Sequence, residues 1–156
     1  MQRHPDSCAA ARGKKSSRGF TLIETLVTVG IASVLSSIAY PSLEGHVVRA
    51  RRTDGLVALM QAQLAQERYR ANNRTFGDLA EIGMRGTSMS GYYALQVTAS
   101  SADGYEVVAT ATGRQARDAT CRTLRLAVDG AGLGYASGPT ASASNPVEVN
   151  RKCWNQ

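Results

Sequence analysis

An uninterrupted apolar run behind a basic leader constrains this chain more than anything else in it. From Thr25 to Leu43 no residue is charged. With Phe20 to Ile23 added, the run makes a helix long enough to cross a hydrocarbon core of about 30 Å. One carboxylate, Glu24, stands at the head of the run. On translocon-type scales it costs on the order of 3 kcal/mol there, so it calls for a partner or a function. The preceding residues, Arg18-Gly19-Phe20-Thr21-Leu22-Ile23, suggest one. Cleavage after Gly19 would free an α-amine on Phe20. A helix sliding against an identical neighbour would then pair that amine with the neighbour's Glu24 in low dielectric, setting the register of a filament.

Two plainer readings use the same residues. A generic signal peptide would be cut after its apolar core, with Ile31-Ala32-Ser33 or Ser36-Ser37-Ile38-Ala39 as loose cleavage sites. An uncut single-pass anchor explains the run and leaves Glu24 unexplained.

The stretch Gly19-Phe20-Thr21-Leu22-Ile23-Glu24, with Pro41 twenty-one residues beyond the phenylalanine, resembles the amino terminus of type IV pilins and of the pseudopilins of type II secretion. The resemblance implies that an aspartyl prepilin peptidase cuts between Gly19 and Phe20 and methylates Phe20. It also implies that Glu24 acts in subunit assembly. The chain departs from the family in carrying Ser33 where a glycine usually loosens the helix, with Gly30 three residues earlier.

Beyond the run, Glu44 to Asn72 continues at helical period. Val48, Leu56, Leu59, Met60 and Leu64 form an apolar stripe, while Arg52, Gln63, Gln66, Glu67 and Arg70 mostly face elsewhere. Pro41 lies inside this helix and is expected to kink it, lacking a donor and crowding the carbonyl one turn back. Asn72-Asn73 ends the helix, and Arg74 to Ser90 is a glycine-punctuated connector with a short helix at Asp78 to Ile82. Alternation then marks strands at Tyr92–Thr98, Tyr105–Thr112 and Thr123–Val128, and Asp129-Gly130 turns into a fourth near Gly132–Ala136. Gly138 to Pro146, rich in Ser, Ala and Thr, reads as a surface loop.

A sheet of these strands needs its apolar face covered, and the helical stripe is the available cover. The expected fold is α+β, the pilin ladle: a long amino-terminal helix, membrane-spanning in its first half, packed on an antiparallel sheet of about four strands. Its divisions are a cytoplasmic leader (1–19), a transmembrane or filament-core helix (20–43), a helical continuation (44–73) and a head (74–156). The head adds to the resemblance. Arg52-Thr53-Asp54-Gly55, Gln66-Glu67-Arg68-Tyr69, Leu79-Ala80-Glu81-Ile82-Gly83, Asp118-Ala119-Thr120-Cys121 and Cys153-Trp154 look like the pattern of short PilE-type minor pilins.

Charge and cysteine usage fit a processed chain. The 18 Lys+Arg against 12 Asp+Glu give +6 overall, but residues 1–19 hold five of the bases and one acid, leaving 13 against 11 and a balance of +2. The high pI thus belongs mainly to the leader and says little about nucleic acid. Arg49, Arg51 and Arg52 lie close behind the apolar run, so the positive-inside bias is slight. Cys8 falls in the leader. Cys121 and Cys153 remain as an even pair suited to a disulfide outside the cytoplasm, with two free thiols or a partial metal site as alternatives.

Nothing points to an enzyme, a metal or a cofactor. Catalysis by a nucleophile needs a base positioned beside it, and His46, the only histidine beyond the leader, reads as a solvated or interfacial residue beside the membrane. Asp118 and Asp129 read as turn and cap residues. The glycines form neither a phosphate loop nor a dinucleotide fingerprint. Arg114, Arg117, Arg122, Arg125, Arg151 and Lys152 gather in sequence around the cysteines, and such cations can grip phosphate backbones.

The expectation is therefore a structural minor pilin of a type IV pilus serving motility, adhesion or DNA uptake. The alternatives are a type II secretion pseudopilin and a DNA-binding competence pilin. The partners it implies are other pilins, the prepilin peptidase, and an assembly platform with its ATPase. The head would stand in the periplasm from a single-pass inner-membrane anchor, then on the cell-surface pilus.

Overall fold

A computed structural model describes residues 19–130, 132–140 and 146–154, apart from the side chains of Tyr40, Pro41 and Ser42. The leader before Gly19 and the centre of the serine-rich loop lie outside these residues. The chain divides into two units, residues 1–40 and 41–156.

The first unit is helical from Leu22, the start of helix α1 (Leu22–Arg70). Its 18 residues Leu22–Ala39 are long and apolar enough to cross a membrane, about 27 Å at helical rise. Their large apolar side chains are exposed. The hydroxyls of the span all turn back on their own helix. Thr25, Thr28, Ser33, Ser36 and Ser37 donate to the carbonyls of Thr21, Thr25, Val29, Ala32 and Val34 at 2.7–3.0 Å, which removes their need for water. Ser33 stands in intact helix. At Pro41 the backbone is helical as well, while the expected kink turns on a side chain outside the description.

The second unit holds the rest of α1 and a four-stranded antiparallel sheet in the order β1-β2-β3-β4. The strands are β1 (Tyr93–Ser100), β2 (Tyr105–Ala111), β3 (Thr123–Asp129) and β4 (Gly132–Gly138). One face, with Tyr93, Leu95, Tyr105, Val107, Ala109, Leu124 and Leu126, is buried beneath Leu56, Leu59 and Ala62 of α1. The approach is close: a Cβ on Gly55 would lie 2.9 Å from the Tyr93 ring.

This docking corrects the expected stripe. Met60 and Leu64 are 57% and 55% exposed, whereas Arg52 and Gln66 are buried. The helix turns its Arg52–Gly55/Leu56–Leu59–Ala62–Gln66 row inward because both polar residues in it find partners in the head. Gln66 donates to the Gly77 carbonyl at 2.6 Å and accepts from Gly77 N–H at 2.9 Å, pinning the connector. Arg52 meets Asp118, as described below. Met60 and Leu64 fall on the opposite side, with Leu43, Val47 and Val57, all exposed.

Other local expectations shift slightly. Asp78–Ile82 forms turns rather than a helix, closed by reciprocal bonds between Asp78 and Glu81. Helix α1 ends at Arg70, where Asn72 and Asn73 side chains cap the carbonyls of Arg68 and Tyr69. A 3-10 helix, Gly113–Arg117, and a second α-helix, α2 (Val147–Cys153), were not anticipated. The signals for α2 are present: Pro146 at its start, Glu148 in the first turn, Arg151 and Lys152 in the last.

Candidate functional sites of the helix terminus and the head

At the amino-terminal end Gly19 and Phe20 are exposed and precede the helix. Thr21 is its N-cap. Glu24 N–H donates to Thr21 Oγ1 at 3.3 Å, and Thr21 N–H donates to Glu24 Oε2 at 3.5 Å. This reciprocal pair is a capping box, satisfying two donors that a helix start leaves open. Glu24 therefore has a local role in the single subunit, which inspection of the charge pattern alone had missed, although Thr21-x-x-Glu24 is legible as the capping signature. Glu24 stands four residues from the amine that cleavage would expose on Phe20.

The head is built around the Cys121–Cys153 disulfide (Cα–Cα 5.6 Å, sequence separation 32). Closing a loop of that size stabilises the fold by roughly 3 to 4 kcal/mol in the chain-entropy model. Both cysteines are fully buried. The bridge ties α2 to the segment before β3, and Trp154 completes the tie: its Nε1 donates to the Ala136 carbonyl at 3.2 Å and its ring packs tilted against Tyr135, with centroids 4.6 Å apart.

Asp118, three residues before Cys121, accepts two bonds from Arg52, at 2.5 Å from Nε and 2.9 Å from Nη2. It also accepts the Cys121 N–H at 3.2 Å. Both ends of this ion pair are about 95% buried. The forked geometry satisfies the guanidinium and the carboxylate together, as a buried pair requires. It fastens α1 to the disulfide segment. Beside it, buried Gln115 donates to the Val48 carbonyl at 3.0 Å and to the Tyr93 hydroxyl at 3.3 Å. Burial raises the Tyr93 pKa against that bond, and it pushes Tyr105 up to about 12, with Glu67 and Tyr135 adding to the rise.

The six cations that gather in sequence around the cysteines are dispersed in space. Arg117 pairs with Glu44 at 2.9 Å and Arg125 with Glu106 at 3.2 Å. Arg122 donates to the Ala116 carbonyl. Arg117 and Lys152 share a groove of about 420 Å³ with Arg49 and Arg52, while Arg125 lines a separate trough across β3 and β4. Arg114, Arg122 and Arg151 are exposed. His46 is exposed on α1. Asp129 accepts the Gly132 N–H at the hairpin. Among the described residues no group of His, Cys, Asp and Glu could hold a metal ion.

A family model described as "Type IV minor pilin ComP, DNA uptake sequence receptor" matches residues 41–125, more than half of the chain. The chain belongs to the type IV minor pilin family. A second model, "Prokaryotic N-terminal methylation motif", matches residues 14–40. The type IV wide pilus major component PilA4 of Thermus thermophilus is 27% identical over 103 residues, 64% of this chain and 77% of that protein. The fimbrial protein EcpC of Eikenella corrodens is 32% identical over 100 residues, 64% of each chain. The type II secretion system core protein G of Pectobacterium carotovorum is 32% identical over 59 residues, 38% of each. The protein is a pilin subunit, of a family of structural proteins that assemble with one another, and its apolar amino-terminal helix and prepilin motif mark it for membrane anchoring and the pilus.

Proposed function

We propose that this pilin is stored in the inner membrane by Leu22–Ala39, with its head in the periplasm, and enters the filament through its amino terminus. The prepilin peptidase cuts after Gly19 and methylates Phe20. Glu24 then exchanges its capping bond to Thr21 N–H for the cationic amine of a neighbouring subunit, a stronger, charge-assisted partner in low dielectric. The exposed row Leu43, Val47, Val57, Met60 and Leu64 packs against neighbouring helices, so that apolar surface leaving the bilayer stays out of water. An assembly platform and its ATPase supply the work.

The observation that carries this reading is Glu24 in a capping box beside the cleavage motif. Its test is Glu24→Gln, which keeps a capping acceptor and removes the charge. Processing to Phe20 should persist, read by intact mass. Incorporation into sheared filaments should drop at least tenfold, as expected for a lost ion pair in low dielectric. Normal incorporation of Glu24→Gln would sink the exchange mechanism.

A second reading, reception of DNA, is favoured by the matched family's description and by the exposed Arg114, Arg122 and Arg151. It predicts steeply salt-dependent binding of duplex DNA, with a slope that falls as each arginine is removed. A flat salt response would exclude it.

A further inference from the structure

Arg49, Arg51 and Arg52 follow the apolar span closely, against the usual charge bias of a segment facing away from the cytoplasm. Two of the three are consumed inside the head. Arg52 is locked on Asp118, and Arg51 lies over the Tyr92 ring at 4.6 Å. Arg49 instead faces the groove of about 420 Å³ that Lys152 enters from α2. The carboxylates of this groove, Glu44 and Asp118, are neutralised by Arg117 and Arg52. Arg49 and Lys152 are exposed and, among the described residues, have no ion-pair partner, so the groove carries a net charge of two cations.

Position along the chain selects the ligand. Glu44 and Arg49 stand five and ten residues beyond Ala39, the last residue of the span. So short a stretch of chain makes them juxtamembrane residues, of the kind that headgroups and the surface potential act on. Lys152 is far away in sequence, but the neighbouring Cys153 is bonded to Cys121, next to Thr120 of the groove lining, which brings Lys152 to it. Basic residues beside a membrane span attract anionic headgroups, each adding a several-fold factor to binding.

We infer that the groove between Arg49 and Lys152 is a seat for the headgroup of an anionic phospholipid, holding the head against the outer leaflet of the inner membrane before assembly. The inference rests on the membrane-stored state proposed above. The phosphate would lie between the two free cations, with Arg117 able to share its charge.

The full chain, purified in detergent, is titrated with phosphatidylglycerol and, separately, with phosphatidylcholine, and retained lipid is read by native mass spectrometry. Phosphatidylglycerol should be retained about tenfold or more over phosphatidylcholine. Arg49→Ala with Lys152→Ala should reduce it roughly tenfold to thirtyfold, to the level of the zwitterionic lipid. Arg49→Lys with Lys152→Arg should keep the preference, and Arg74→Ala, an exposed cation outside the groove, should leave it unchanged. Equal retention of both lipids, or an equal loss with Arg74→Ala, overturns the proposal. So does a duplex DNA whose binding is lost in the double alanine variant while phosphatidylglycerol retention persists, which would give the groove to DNA. The measurement needs neither cleavage nor filaments, so failure of Glu24→Gln to impair assembly leaves this test standing.

Discussion

Removing Asp118 should do more damage than removing any exposed charge of the head. Asp118→Ala leaves Arg52, about 94% buried, without its carboxylate, and it frees the Cys121 N–H that Asp118 accepts at 3.2 Å. Breaking a buried pair by deleting one partner costs about 3 to 5 kcal/mol, because the other charge stays in low dielectric uncompensated. For a unit of this size 1 kcal/mol lowers Tm by roughly 4 °C, so the melting point should fall by about 12 to 20 °C. The only tryptophan, Trp154, is buried against Ala136 and Tyr135, so its emission reports thermal unfolding of the head in the detergent-solubilised chain. Replacing both partners, Arg52→Met with Asp118→Leu, should recover at least half of the loss, since a well-packed apolar pair needs no desolvation. The exposed Glu44–Arg117 pair is the internal comparison: Glu44→Ala should cost about 1 kcal/mol or less, a fall in Tm of at most about 4 °C, and lose even that in high salt. If Asp118→Ala and Glu44→Ala shift Tm equally, the pair does not fasten α1 to the disulfide segment.

Gly55→Ala gains up to about 1 kcal/mol of helix propensity but drives a methyl to 2.9 Å from the Tyr93 ring, so a net destabilisation of about 1 to 2 kcal/mol is expected in urea unfolding; a stabilised variant would mean that the ring yields freely. Tyr105→Phe removes a buried hydroxyl with no partner among the described residues and should be neutral or slightly stabilising at pH 7. The folded Tyr105 titrates at about 12 against 10 when exposed, so its contribution is intact below about pH 10 and is lost between 10 and 12. Tyr105→Phe should therefore soften the alkaline loss of stability, and an unchanged profile would count against burial of that hydroxyl. Met60→Gln with Leu64→Gln should leave head stability within about 0.5 kcal/mol while lowering filament incorporation; a large fall in Tm would mean that these residues belong to the core.

The strands and the covering helix were legible because alternation survives intact in Tyr93-Leu95, Tyr105-Val107-Ala109 and Leu124-Leu126, each buried on one face. The amino-terminal motif was legible because an isolated carboxylate in an apolar run has few explanations. What escaped was the rotation of α1 about its axis. Periodicity assigns apolar residues inward by default, and here a buried arginine and glutamine replace two of them, a substitution visible only once Asp118 and Gly77 arrive from 66 and 11 residues away. Helix α2 escaped for a different reason: seven residues are too few for a hydrophobic period to register, and the disulfide and Trp154, more than intrinsic propensity, hold it in place.

The misread stripe is itself informative about function. A helix of a monomeric domain that exposes Leu43, Val47, Val57, Met60 and Leu64 while burying Arg52 and Gln66 is poorly explained by its own fold, since solvated apolar side chains add nothing to stability and buried polar ones demand exact partners. It is well explained if the helix has two apolar clients. The head takes the narrow row around Gly55, Leu56 and Leu59, where small residues allow close approach, and secures it with two polar contacts that specify register. The larger apolar residues are then free for neighbouring subunits, whose helices need area more than specificity. A chain that carried Met60 and Leu64 into its own core would leave only Leu43, Val47 and Val57 of that row for a filament.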